Sequence, residues 1–175
     1  MGSFRQILPN YSYLEYEQWE GRWEVIRGIA ISMSPMPGPK HQRVSAALSE
    51  LFRNELRKIN CQDCKVYQPI DYKVDDTTVI QPDLLVVCKP IEAHYLTFAP
   101  DVVVEILSPS TALKDRHTKF DIYQHEGVKY YIIIDPDEEL FEIYELTAGK
   151  YTKKEYAEIM LEDCRFSLDL KACFD

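Results

Sequence analysis

The chain is short of glycine, with six in 175 residues, and it has ten prolines. A phosphate-cradling loop needs several glycines at close spacing, and no such loop is present, which argues against a nucleotide-dependent enzyme. The same scarcity excludes collagen-like and low-complexity chains. No apolar run approaches the ~18 residues of a membrane-spanning helix, so no membrane partner is expected. Residues 1–10 lack the charged-then-apolar layout of a secretory signal, which makes a cytoplasmic protein the expectation.

Basic residues are outnumbered. Twenty Lys and Arg face 29 Asp and Glu, for a net charge of −9. Affinity for a polyanion comes from Lys and Arg displacing counterions, so non-specific nucleic-acid binding is disfavoured. Nucleic-acid chemistry is not excluded, because metal-dependent sites are built from carboxylates. The five cysteines are an odd number in a chain without a signal. Disulfide scaffolding is therefore not expected. Cys61 and Cys64 form one CxxC, but a zinc site wants a second pair, and Cys88, Cys164 and Cys173 are scattered. Free thiols are the expectation.

What is plentiful is core material: 46% hydrophobic residues, including 12 Tyr, 7 Phe and 2 Trp spread along the chain. That supports one domain over 1–175, with its core from about 11 to 156. Ser12 and Glu15 have capping-box spacing and open a short helix to about residue 19. Residues 22–27 and 29–34 flank Gly28 as a hairpin. Over 40–60 the apolar residues Val44, Ala47, Leu48, Leu51, Phe52, Leu56 and Ile59 recur at helical period, giving the longest helix. Strands follow over 65–68, 70–74 and 79–88, then over 101–107, where consecutive valines suggest burial on both faces. Residues 108–111 break the strand and supply N-cap candidates. A helix over 113–126 stops at Gly127. A strand over 129–135, a hairpin over 140–146 and 151–156, and an irregular tail complete the chain. The order implies an α/β class, a mixed sheet flanked by helices, with an N-terminal hairpin.

Two carboxylates sit where burial makes charge costly. Glu105 lies inside Val-Val-Val-Glu-Ile-Leu, and an unpaired carboxylate there costs several kcal/mol. Asp83 follows Pro82 at the mouth of another apolar strand. Carboxylates on adjacent strands suit a hard divalent cation such as Mg²⁺, which takes one or two carboxylates plus waters and phosphate oxygens. Taken singly, each also reads as a strand-end charge facing water or a basic residue.

Pro82-Asp83 followed by Glu105 resembles the PD-(D/E)XK nuclease signature, whose third element is a Lys two residues beyond the Glu. Here that position is Leu107, on the same face as Glu105 by strand alternation. The wider pattern resembles the bacterial Uma-two family. It comprises Trp23-Glu24-Val25-Ile26-Arg27-Gly28, Met33-Ser34-Pro35, His41-Gln42-Arg43, Gln81-Pro82-Asp83-Leu84, Val104-Glu105-Ile106-Leu107-Ser108-Pro109-Ser110-Thr111, residues 115–119 and residues 131–136. The resemblance spans about 13–151. It implies a restriction-endonuclease-like fold, with the catalytic Lys displaced from the strand to the following helix, at Lys119. It also implies an endonuclease using Mg²⁺ (or Mn²⁺) on nucleic acid, with DNA the favoured substrate. Asp83 and Glu105 would hold the metal, and Asp83, Glu105 and Lys119 would carry the chemistry.

The same residues admit other readings. Lys119 with Asp115 has the i,i+4 spacing of a surface ion pair. Glu24, His41 and Asp71 are accessory candidates: Glu24 for the metal shell, His41 for phosphate contact or for capping the long helix. Ser108, Ser110 and Thr111 read either as a phosphate site at a helix N-terminus or as caps. The alternative function is a nuclease-fold module that binds nucleic acid or a protein without turnover. Cutting both strands of a duplex normally takes two active sites, so a homodimer is a reasonable expectation.

Overall fold

The computed structural model describes residues 8–33, 36–109 and 111–175. Its centre is a six-stranded mixed sheet in the order β10-β9-β8-β7-β6-β3. Those strands are β3 (Lys65–Tyr67), β6 (Leu84–Val87), β7 (Val102–Ile106), β8 (Tyr130–Asp135), β9 (Leu140–Thr147) and β10 (Lys150–Lys154). β7 and β8 run parallel, joined by a helical crossover, and the other pairs of this sheet are antiparallel. A second, antiparallel sheet has the order β2-β1-β5-β4, from β1 (Trp23–Ile26), β2 (Ile29–Ser32), β4 (Tyr72–Asp75) and β5 (Thr78–Ile80). The β1–β2 turn depends on Gly28, whose φ is +77° and where a Cβ would stand 2.8 Å from Asn10 Cα. Only glycine meets both demands without cost.

The central strands are apolar but for Glu105 on β7 and the terminal Asp135 of β8, because both their faces are covered. Along β7, Val102, Val104 and Ile106 join the core beneath α2 (Pro39–Lys58), the helix that follows the short α1 (Tyr13–Tyr16). Val103 joins the opposite core, which also holds Leu107, Tyr123 and Tyr131. Glu105 shares that second face and is 2% exposed. α2 begins after Gly38 with Pro39 at its first turn and buries Val44, Ser45, Leu48, Phe52 and Leu56, close to the expected stripe.

Four expectations need correction. The segment 79–88 is two strands. Pro82 has no N–H to donate, so the ladder breaks at Gln81-Pro82-Asp83, where the chain passes from the small sheet (β5) to the large one (β6). The helix over 113–126 is a π-helical segment, Lys114–Lys119, followed by α3 (Phe120–Glu126). The tail is ordered and belongs to the core. It forms a hairpin of β11 (Glu158–Leu161) and β12 (Cys164–Ser167) and a 3₁₀ turn, Leu170–Cys173, burying Ile159, Leu161, Phe166, Leu170 and Cys173 against the α2 side of the sheet. Four cysteines are not free thiols: Cys61 is disulfide-bonded to Cys164, and Cys64 to Cys88. The pairing follows from register. Lys65 lies opposite Val87 in the β3–β6 ladder, which sets the next residues outward, Cys64 and Cys88, against each other. Cys173 remains free and buried.

Candidate active site

The site forms where the two sheets meet. β6 and β7 are antiparallel neighbours with Leu84 opposite Val104, so Asp83 and Glu105 occupy the next step of the same ladder. Asp83 Oδ2 accepts the backbone N–H of Ile106 at 2.8 Å and lies 3.2 Å from His41 Nε2. His41 is carried there by the first turn of α2. Its expected alternatives were phosphate contact and capping; in the structure it faces the Asp83 carboxylate.

Glu105 accepts two hydrogen bonds on one oxygen. Lys119 Nζ donates to Oε1 at 2.9 Å and Tyr123 OH donates to the same atom at 2.6 Å. Lys119 is 1% exposed and lies 2.7 Å from Glu24 Oε1 and 3.8 Å from Asp115 Oδ1. The reading of Asp115 and Lys119 as a surface pair is thereby corrected, since both are buried. Glu24, on β1, is fully buried. Besides Lys119 it pairs with Lys114 and accepts the N–H of Gln81 at 2.9 Å.

The π-helical turn explains how two lysines reach one glutamate. In an α-helix, residues five apart are rotated by about 140°. Hydrogen bonding from i to i+5 brings Lys114 and Lys119 back to one side of the axis, both toward Glu24.

The electrostatics follow from this crowding. Burial, reinforced by Asp115, Asp83 and Glu24, pushes the Glu105 carboxyl well above the ordinary range despite Lys119. Burial also raises Asp115. Burial alone would raise Glu24 as well, but Lys119 and Lys114 together hold it below its ordinary value. The Lys119 ammonium loses hydration on burial, yet Glu105, Glu24 and Asp115 raise its pKa well above the usual lysine value, so it stays charged.

The residues present fit a divalent cation. Fully ionised, Glu24, Asp83, Glu105 and Asp115 exceed Lys114 and Lys119 by two negative charges. Asp115 Oδ1 is a buried acceptor without a hydrogen-bond donor among the described residues. The hydrogen bonds described for Asp83 and Glu105 fall on Oδ2 and Oε1, leaving Asp83 Oδ1 and Glu105 Oε2 for another partner. An all-oxygen donor set of this kind suits a hard cation such as Mg²⁺ or Mn²⁺.

Asp71 lies one layer out. It accepts from Tyr16 OH at 2.8 Å and from Gln81 Nε2 at 2.5 Å, so it positions Gln81, whose carbonyl is 3.4 Å from Lys119 Nζ. Ser108 and Thr111 bond each other, with their hydroxyls 3.1 Å apart and Ser108 N–H donating to Thr111 Oγ1 at 3.2 Å. Those contacts close the turn before the helical segment, whose own N-cap, Leu113, has no side-chain cap bond. Ser110 lies outside the described residues. Asp115, Lys114 and Tyr123 are the site residues that sequence reasoning did not assign. The i,i+4 spacing of Asp115, Lys119 and Tyr123 was the one signal that they share a face.

The structure is similar to the crystal structure of a "putative nuclease belonging to DUF820" from Anabaena variabilis, with a TM-score of 0.74 and 20% identity, covering 93% of this chain and 97% of that one. In sequence it is 35% identical over 130 residues to the uncharacterized protein slr1290 of Synechocystis sp., matching 67% of this chain and 64% of that protein's length. The family model Uma2, described as "Putative restriction endonuclease", matches residues 12–170. The chain, with its restriction-endonuclease-like fold, therefore belongs to the Uma2 family.

Proposed function

We propose that the chain is a metal-dependent endonuclease that hydrolyses phosphodiester bonds of nucleic acid, DNA foremost, at the junction of its two sheets. The observation that carries this reading is the meeting of Asp83 and Glu105 across the β6–β7 ladder with a buried Lys119 ammonium 2.9 Å from Glu105. Family membership supports the same reaction class.

Asp83 and Glu105 would hold Mg²⁺ or Mn²⁺. Bound there, the metal supplies Lewis acidity toward a phosphate oxygen and a water of lowered pKa. The protein contributes position and charge. His41 and the Ile106 N–H fix the Asp83 carboxylate, and Tyr123 fixes Glu105. Lys119 stays protonated and offers a preorganised positive charge to the negative charge that builds on phosphorus in the transition state. Glu24 and Asp71 act behind it: Glu24 holds Lys119 directly, and Asp71 holds Gln81. Thr111 and Ser108 close the turn that starts the helical segment, beside which a phosphate would lie.

The test is titration calorimetry with Mg²⁺ and Mn²⁺, followed by cleavage assays on single- and double-stranded DNA and RNA. Metal binding lost in Asp83→Asn together with metal-dependent cleavage supports the proposal. A second reading, a nuclease fold that binds without turnover, is favoured by Leu107 in place of the signature Lys and by the net charge of −9. Metal binding without cleavage of any substrate selects it. Cutting both strands of a duplex calls for two copies of the site, which sedimentation of the protein with and without DNA would detect.

A further inference from the structure

Four cysteines converge at the end of β6 opposite to Asp83. Cys61 and Cys64 come from the loop after α2, Cys88 directly follows β6, and Cys164 opens β12. The sulfurs of Cys61, Cys64 and Cys164 all lie within 4.8 Å of one another, and Cys88 is bonded to Cys64. Cys61, Cys64 and Cys88 are each under 10% exposed. We infer that, once the two disulfides are reduced, Cys61, Cys64, Cys88 and Cys164 form a tetrathiolate site for Zn²⁺.

The geometry suits that ion. Tetrahedral Zn²⁺ with Zn–S bonds of about 2.3 Å places its sulfurs roughly 3.8 Å apart. The three sulfurs lie within 4.8 Å of one another, so once the S–S bonds are broken only local shifts are needed to reach that spacing, and the Cys61-x-x-Cys64 loop has the spacing of a zinc knuckle's first pair. Charge is also provided for. A tetrathiolate zinc centre carries two negative charges, and the surface cavity beside Cys61 and Cys64 is lined by Arg53, Arg57 and Lys65. Such cations stabilise thiolates. Soft sulfur donors select zinc over Mg²⁺, so the two metal sites would not compete. They stand at opposite ends of a single strand, roughly 16 Å apart at ~3.3 Å per residue.

The chemistry balances. A dithiol reductant gives each disulfide two electrons and two protons and is itself oxidised to a disulfide. Zn²⁺ then displaces four protons from the four thiols as four Zn–S bonds form. The metal would replace both covalent links, the one that ties the β11–β12 hairpin to the α2–β3 loop and the one that ties that loop to the end of β6.

The experiment is Co²⁺ and Zn²⁺ titration into the full chain, reduced and then freed of reductant under anaerobic conditions, with Mg²⁺ in excess to fill the carboxylate site. Expected are one Co²⁺ per chain with the intense sulfur-to-cobalt absorption of a tetrahedral thiolate, its displacement by Zn²⁺, and protection of four of the five cysteines from alkylation. Cys88→Ser should weaken binding at least tenfold, and Cys173→Ser should leave it unchanged. The wild-type titration keeps the test valid if Cys88→Ser fails to fold. No thiolate absorption, or alkylation of the reduced chain that is equally fast with and without Zn²⁺, overturns the assignment.

Discussion

Lys119 Nζ stands 2.9 Å from Glu105 Oε1, fourteen residues further along the chain and on a different element. Two residues past Glu105, one beyond the end of β7, stands Leu107, which is buried in the core on that same face. The ammonium therefore reaches the carboxylate from the helical layer above the sheet.

Replacing Lys119 removes the charge that compensates Glu24 and Glu105. Lys119→Ala should lower the cleavage rate by about 10²-fold, the scale of one lost electrostatic contact in a reacting site. It should also destabilise the metal-free protein by about 3–5 kcal/mol, because it leaves the buried Glu105 carboxyl without its cation, while Glu24 keeps only Lys114. Mg²⁺ should recover part of that loss, read as a rise in melting temperature. Lys119→Arg should rescue poorly, since a planar guanidinium does not fit the place of a compact ammonium. If Lys119→Ala cleaves like wild type, the residue has a structural role alone.

Asp83→Asn should abolish Mg²⁺ or Mn²⁺ binding in calorimetry while the fold persists by circular dichroism. The asparagine carbonyl can still accept the Ile106 N–H, and one of several repelling carboxylates is gone. Unfolding of this variant, combined with no metal binding by wild type, would assign Asp83 to structure.

Glu105 gives the metal-free protein a pH dependence whose sign is set by its raised pKa. Between the ordinary carboxyl value and the raised one, the folded state holds a proton that the unfolded state has lost. Stability should therefore fall as pH rises through that window. Asp115 acts in the same direction. Glu24, with a lowered pKa, acts oppositely: its contribution is present above the ordinary carboxyl value and is lost as pH falls through the lowered one. Mg²⁺ should drive the proton off Glu105, visible as a downfield carboxyl shift in ¹³C NMR and as proton uptake by buffer in calorimetry. An unshifted Glu105 in both states would contradict the buried placement.

Tyr123→Phe deletes the hydroxyl that donates to Glu105 Oε1 and leaves the ring's packing in place. The expected cost is about 1.5–3 kcal/mol in stability, the range for a hydrogen bond to a charged group. The Glu105 pKa should climb further, because an interaction that favours the carboxylate is lost. A chemical-denaturation curve and the same NMR titration check both.

The parts legible in the sequence were those governed by local periodicity. The α2 stripe, the alternating faces of β7 and the β1–β2 turn at Gly28 follow from side-chain spacing and backbone sterics, which act over a few residues. Asp83 and Glu105 stood out because a charge in an apolar strand is costly wherever that strand is placed. The family pattern added Lys119, which spacing alone would have left as a surface residue. Other features depended on contacts between distant segments. Asp115 looked like the exposed partner of Lys119 until the π-helical turn buried both beneath Glu24. His41 and Asp83 are 42 residues apart and meet only because α2 packs with its first turn at the mouth of β6. The tail and the scattered cysteines acquired their roles once β12 docked beside the α2–β3 loop. The reason is physical: propensity and amphipathicity are properties of a segment, whereas the burial and partners of a charged group or a thiol are set by which segments the whole chain packs against it.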